Sequence, residues 1–155
     1  MSQAVAGLIS LTRINLNIEL ASKKRALETL SQLLCSAQSN LTTEEIFACL
    51  LRREKLGSTS IGNGVALPHG RLKGLNKAVG AFITLAQPVD YQSNDDHPVD
   101  VLFAMLAPEE TDQSHIDALN SLSSLFADTN FVVKLKNAES TEQAAELLTS
   151  TVINN

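Results

Sequence analysis

The chain has 155 residues, the usual size for one domain built around a single hydrophobic core. Apolar residues make up 44% of it and charged residues 19%, which suits a folded soluble protein and excludes a disordered one. Acidic side chains outnumber basic ones 17 to 12 and leave a net charge of −5, so the chain lacks the basic footprint of a nucleic-acid binder and no such partner is expected.

Ile14, Leu16 and Ile18 alternate with Arg13, Asn15 and Asn17, which predicts a half-buried strand. Ser22 is placed to cap a helix whose apolar stripe runs through Ala26, Leu27, Leu30, Leu33 and Leu34. Thr42 and Glu45 have the spacing of a capping box and open a second helix through Ile46, Phe47, Leu50 and Leu51, which Gly57 is placed to end. A glycine-punctuated stretch, Ser58 to Gly64, then leads into Val65-Ala66-Leu67. Val79 to Leu85 and Asp100 to Leu106 are nearly continuous apolar runs and predict buried strands, joined by a polar, turn-rich connection over Gln87 to Pro98.

Thr111 to Ser114 lead into a helix expected to turn Ile116, Leu119, Leu122, Leu125 and Phe126 inward. Ser140 with Gln143 caps a last helix carrying Ala144, Leu147 and Leu148. Strands that alternate with helices predict an α/β domain with helices on the faces of the sheet. No repeat, low-complexity tract or linker divides the chain, so residues 1–155 are expected to form one domain with its core over about 10–150.

Met1 to Leu11 has neither the basic start nor the long apolar centre of a signal peptide. The longest apolar run, Val101 to Ala107, is far short of the ~20 residues needed to span a bilayer, so no membrane insertion is expected. Cys35 and Cys49 are the only cysteines and each falls inside an apolar helical pattern, as reduced thiols of a cytoplasmic protein do.

The chain has three histidines. His97 sits in Asp95-Asp96-His97-Pro98, a solvated turn composition, and His115 follows Ser114 at a helix start. His69 stands apart, between Pro68 and Gly70 and directly after Val65-Ala66-Leu67. Pro68 fixes its own φ and biases Leu67 toward extended geometry, so His69 is presented at the end of a strand. Gly70 has no Cβ and lets another backbone or a ligand come close to the ring. In open α/β sheets ligands gather at the carboxyl ends of strands.

Neither cysteine stands near a histidine and no two histidines have the spacing of a ligand pair, so no metal is expected. The nucleophile elbow GxSxG and the phosphate loop GxxxxGK[ST] are both absent, and no cofactor is expected. What remains is His69 as a nucleophile in its own right, since a neutral imidazole has a free lone pair near neutral pH. Phosphoryl transfer asks mainly for in-line placement and positive charge. Arg52, Arg53 and Lys55 before it, and Arg71 and Lys73 after it, supply that charge in sequence, although charge beside a helix end also serves solubility.

The stretch REKLGSTSIGNGVALPHGR, Arg53 to Arg71, resembles the active-site signature of the EIIA proteins of the bacterial phosphotransferase system, most of all their nitrogen-related branch, EIIA-Ntr. SKKRALETLSQLL (Ser22 to Leu34), PVDVLFAMLAP (Pro98 to Pro108) and HIDALNSLSSLFAD (His115 to Asp128) carry the resemblance over almost the whole chain. Ser60 departs from the glycine of many members of the branch, and Ile116 from the leucine common after the second histidine.

The resemblance implies a mixed β-sheet sandwiched between α-helices. It implies that His69 is phosphorylated by an HPr-like phosphocarrier protein of the NPr type, that His115 is the second active-site histidine, and that Arg53 lies near the phosphate. Leu67 and Gly70 fall where they would contact the phosphate or the partner. The expected function is that of a phosphocarrier that regulates partner proteins by its phosphorylation state; in family members these include potassium transport and sensor-kinase proteins. The alternatives are a sugar-specific EIIA subunit of the fructose or mannitol type, and a binding module in which His69 is never phosphorylated.

Overall fold

Two long strands, β5 (Val79–Val89) and β6 (Val99–Pro108), pair antiparallel at the centre of a sheet that has six strands among the described residues. The computed structural model describes residues 8–37, 40–110 and 113–153, apart from the side chains of Ser114, His115 and residues 150–153. Most of β5 and β6 is buried on both faces, which is why their sequences read as apolar runs rather than as alternation. β1 (Ile14–Ile18) joins β5 in parallel. On the other side β3 (Val65–Ala66) and β4 (His69–Leu72) both run parallel to β6, and β2 (Ser60–Gly62) pairs antiparallel with β3 at the edge. The sheet is therefore mixed.

β3 and β4 are two pieces of one broken strand. Val65 and Ala66 face Val101 and Leu102, and His69 and Gly70 face Met105 and Leu106, so the register along β6 is unchanged across the break. The break falls at Leu67-Pro68. Pro68 has no N–H for the ladder; its carbonyl accepts from Met105 N at 3.0 Å, while Leu67 N turns away to donate to Thr59 O at 3.0 Å. Ahead of the break, Asn63 (φ +56°) and Gly64 (φ +81°) make the two-residue turn between β2 and β3, both with the positive φ that such hairpins need.

Helices α1 (Lys23–Cys35) and α2 (Thr43–Lys55) cover one face of the sheet. The other is covered by α3 (Gln113–Ala127), α4 (Thr129–Lys136) and α5 (Thr141–Ile153), around Phe82, Phe103, Phe126 and Phe131. The expected caps form. Ser22 Oγ accepts from Arg25 N at 3.2 Å, and Thr42 and Glu45 make both bonds of a capping box. Ser140 Oγ accepts from Gln143 N at 3.0 Å, while the Gln143 side chain reaches back to Glu139 N.

The structure corrects three expectations. β5 does not stop at Leu85 but continues through Ala86, Gln87 and Pro88 to Val89, which pairs with Val99 after a register shift beyond Thr84. The bulge and the exposed Pro88 hide this extension from a reading based on apolar runs. α4 was not expected; Asp128 caps it by accepting from Asn130 N at 3.0 Å, and Phe131, Val132 and Leu135 are buried. Ile116 is not inward but 43% exposed. The buried face of α3 is set by Ala118, Leu122, Leu125 and Phe126, and Ile116 lies about 200° around the helix from Ala118. Thr111 and Asp112, expected to lead into this helix, lie outside the described residues.

Candidate active site

His69 is the first residue after the break, where the strand resumes beside Met105. Its Nδ1 lies 2.7 Å from the carbonyl oxygen of Leu67. A carbonyl can only accept, so Nδ1 carries the proton and Nε2 keeps its lone pair. Among the described residues Nε2 has no hydrogen-bond partner. The ring is half-buried, and burial pushes its pKa below the ordinary 6.5. The bond to Leu67 and the Glu54 carboxylate oppose that shift, and the charge of Arg53 adds to it. The ring is thus held neutral near neutral pH.

An open groove of about 760 Å³ lies over the ring. Its cations come from two places. Arg52, Arg53 and Lys55 stand in the last turn of α2, where positive charge complements the helix dipole, and Arg71 is two residues beyond His69 on the same side of β4. Among the described residues none of the four is ion-paired. Arg53 Nη1 donates to Gly57 O at 2.8 Å, which folds the guanidinium back over the end of α2 and leaves its other N–H groups without a described partner. Leu56, 85% exposed, together with Ile116 and Leu119 adds an apolar wall.

The other expected site residues fall as follows. The Leu67 side chain is buried, so what Leu67 offers the site is its carbonyl. Gly70 lines the groove, but the room its missing Cβ leaves is already filled: Cys49 Sγ of α2 lies 2.6 Å from where a Cβ would stand. Of the two close approaches expected there, another part of the backbone or a ligand, the structure shows the first, made by α2 at Cys49. His115 belongs to the first turn of α3, and its side chain lies outside the described residues. His97 is exposed on its turn beside Asp95, at 3.5 Å.

A buried polar cluster behind the site, Glu54, Lys23, Thr59 and Tyr91, was not singled out from the sequence; of the four, Thr59 reaches the site's backbone, accepting from Leu67 N. The Glu54 side chain is only 3% exposed and meets Lys23 Nζ at 3.0 Å. One signal for it was available. An acidic residue in the last turn of a helix stands against the dipole and needs a reason to be there. Among the described residues no helix is long and apolar enough to cross a membrane.

Residues 8–151 match the family described as "Phosphoenolpyruvate-dependent sugar phosphotransferase system, EIIA 2". The chain is 41% identical over 135 residues to a nitrogen regulatory protein of Klebsiella oxytoca, covering 86% of this chain and 83% of the relative. It is 40% identical over 131 residues to the nitrogen regulatory protein of Escherichia coli K12, covering 84% and 80%. The crystal structure of the nitrogen regulatory protein IIA-Ntr from Neisseria meningitidis matches it with a TM-score of 0.89 at 38% identity, over 94% of this chain and 99% of that one. The chain belongs to the EIIA 2 family of the phosphoenolpyruvate-dependent phosphotransferase system, in its nitrogen regulatory, IIA-Ntr, branch.

Proposed function

We propose that this chain is a phosphohistidine carrier in which His69 Nε2 accepts a phosphoryl group from the phosphohistidine of an HPr-like carrier of the NPr type. One observation supports this above the rest: Nδ1 is tied to the Leu67 carbonyl, so the free lone pair is on Nε2 of a ring that lines a groove with four cations. A nucleophile of fixed tautomer beside preplaced positive charge is what in-line phosphoryl transfer requires. Arg53 suits the transferred group because its planar fork matches phosphate oxygens. The apolar wall of Leu56, Ile116 and Leu119 gives the carrier a surface to dock on. His115 matches the family's second active-site histidine, and its place in the first turn of α3 is what supports reading it as a neutral hydrogen-bond donor to the phosphoryl group that is not itself phosphorylated.

The output is binding of regulatory targets in the cytoplasm according to phosphorylation state. Transfer to the neutral ring with the Nδ1 proton retained lowers the net charge by one and sets three phosphoryl oxygens among the four groove cations, so the two states present different surfaces. Incubation with the purified donor proteins and phosphoenolpyruvate tests the reading. The wild-type chain takes one alkali-stable, acid-labile phosphate and His69→Ala takes none. Labelling of His69→Ala at the wild-type rate contradicts it.

A further inference from the structure

We propose that Glu54 is a positioning residue for His69, acting through Thr59 and the Leu67 carbonyl to fix the tautomer of the imidazole. The contacts form an unbroken path. Lys23 Nζ lies 3.0 Å from Glu54 Oε1. Thr59 N donates to the same oxygen at 3.3 Å, and Thr59 Oγ1 donates to Oε2. Thr59 O then accepts from Leu67 N at 3.0 Å, and Leu67 O accepts from His69 Nδ1 at 2.7 Å. Tyr91 closes the cluster from beyond β5, donating to Glu54 Oε2 at 3.0 Å. Burial, together with the Glu54 carboxylate, pushes the Tyr91 hydroxyl above its ordinary pKa, so it stays a donor.

The path crosses the break between β3 and β4. Pro68 has no N–H, and Leu67 N points away from β6, so what holds the Leu67 peptide from that side is Thr59. Thr59 lies outside the strands, in the connection from α2 to β2, and its own N–H and hydroxyl both end on Glu54. If Glu54 releases Thr59, the Leu67 carbonyl is free to turn, and the Nδ1–H form loses the acceptor that selects it.

The energetics support a role beyond filling space. Glu54 is buried, which costs desolvation, and it stands in the last turn of α2 against the helix dipole. A buried ion pair is commonly no more stabilising than apolar side chains of the same volume. Lys23, from the start of α1, also lies 4.3 Å from the centre of the Tyr91 ring, and with Thr59 three separate segments of the chain converge on one carboxylate.

The consequence for phosphoryl transfer rests on the function proposed above, but the tautomer itself is measured without any phosphate donor. Long-range proton–nitrogen correlation spectra of the full chain distinguish a protonated ring nitrogen from one with a free lone pair. The wild type is expected to show His69 as the Nδ1–H form. In Glu54→Gln and Thr59→Val the Nε2–H form should gain severalfold, whereas Thr59→Ser, which keeps the hydroxyl, should match the wild type. Transfer to His69 should slow about tenfold in the first two, as loss of an outer partner does at metal-bound histidines. Should Glu54→Gln fail to fold, Tyr91→Phe removes one donor from the same carboxylate and should shift the tautomer in the same direction. Folded Glu54→Gln or Thr59→Val with the wild-type tautomer overturns the proposal. A wild-type chain that takes no phosphate sinks the proposed function instead, and leaves the tautomer result to decide this one.

Discussion

Cys49 occupies the space that a side chain on Gly70 would need: its Sγ lies 2.6 Å from the position of the missing Cβ and 3.3 Å from Arg71 O, to which it donates. α2, which carries the cations Arg52, Arg53 and Lys55, thus seats directly on the strand that carries His69. The contact fixes how closely α2 approaches β4.

Gly70→Ala is expected to cost about 1–3 kcal/mol, the usual range for overpacking a tight site. Combining it with Cys49→Ala should recover part of the loss, because the added methyl then occupies the space of the lost sulfur. Denaturant unfolding of the wild type, both single variants and the double variant gives the coupling between the positions. Strictly additive effects would mean that the two residues do not compete for the same space.

The ring of His69 should titrate below the ordinary 6.5, chiefly because burial disfavours its charged form. The folded state therefore binds this proton less readily than the unfolded one. The contribution to stability is complete above the unfolded pKa and is lost as the pH falls from 6.5 through the folded value. His69→Gln should flatten that part of the stability–pH curve. A ring-proton NMR titration with its midpoint at or above 6.5 contradicts the expectation.

Arg53→Lys keeps the charge but loses the fork that binds Gly57 O and is proposed to meet the phosphoryl oxygens. Transfer should slow about tenfold, equivalent to 1.4 kcal/mol of transition-state stabilisation. Its stability should fall by about 1 kcal/mol or less, since one exposed hydrogen bond is lost. Stopped-flow or quench measurements of phosphoryl transfer from the carrier, run beside thermal melts, separate the two effects. Unchanged transfer kinetics would remove Arg53 from the site.

Leu56 is 85% exposed at the end of α2, so Leu56→Ser should leave stability within about 0.5 kcal/mol of the wild type. Its effect should fall on docking: KM for the phosphorylated carrier rises while kcat is nearly unchanged. A change in kcat alone would place Leu56 with the transferred group rather than with the carrier.

The elements with local signals were legible. Ser22, the Thr42–Glu45 box and the Ser140–Gln143 pair announce three helices because a cap is chemistry within four residues of itself. The apolar runs of β5 and β6 announce the buried centre of the sheet. α4 escaped because it is short and its β-branched Val132-Val133 speaks against helix, so that only packing decides it. Within the site, the Pro-His-Gly sequence pointed to His69, whereas the Cys49–Gly70 contact joins residues far apart in the chain and leaves no spacing to read. The same holds for Glu54, Lys23 and Tyr91, which come from α2, α1 and the chain beyond β5.

The central claim is that His69 Nε2 is the phosphoryl acceptor while Nδ1 stays on the Leu67 carbonyl. It is tested most directly by proton–nitrogen correlation NMR of the chain after phosphorylation by its donor proteins and phosphoenolpyruvate. The account predicts one modified imidazole, that of His69, with phosphorus coupled to Nε2 and a proton retained on Nδ1. Phosphorus on Nδ1 of His69, or on any other residue, would contradict it.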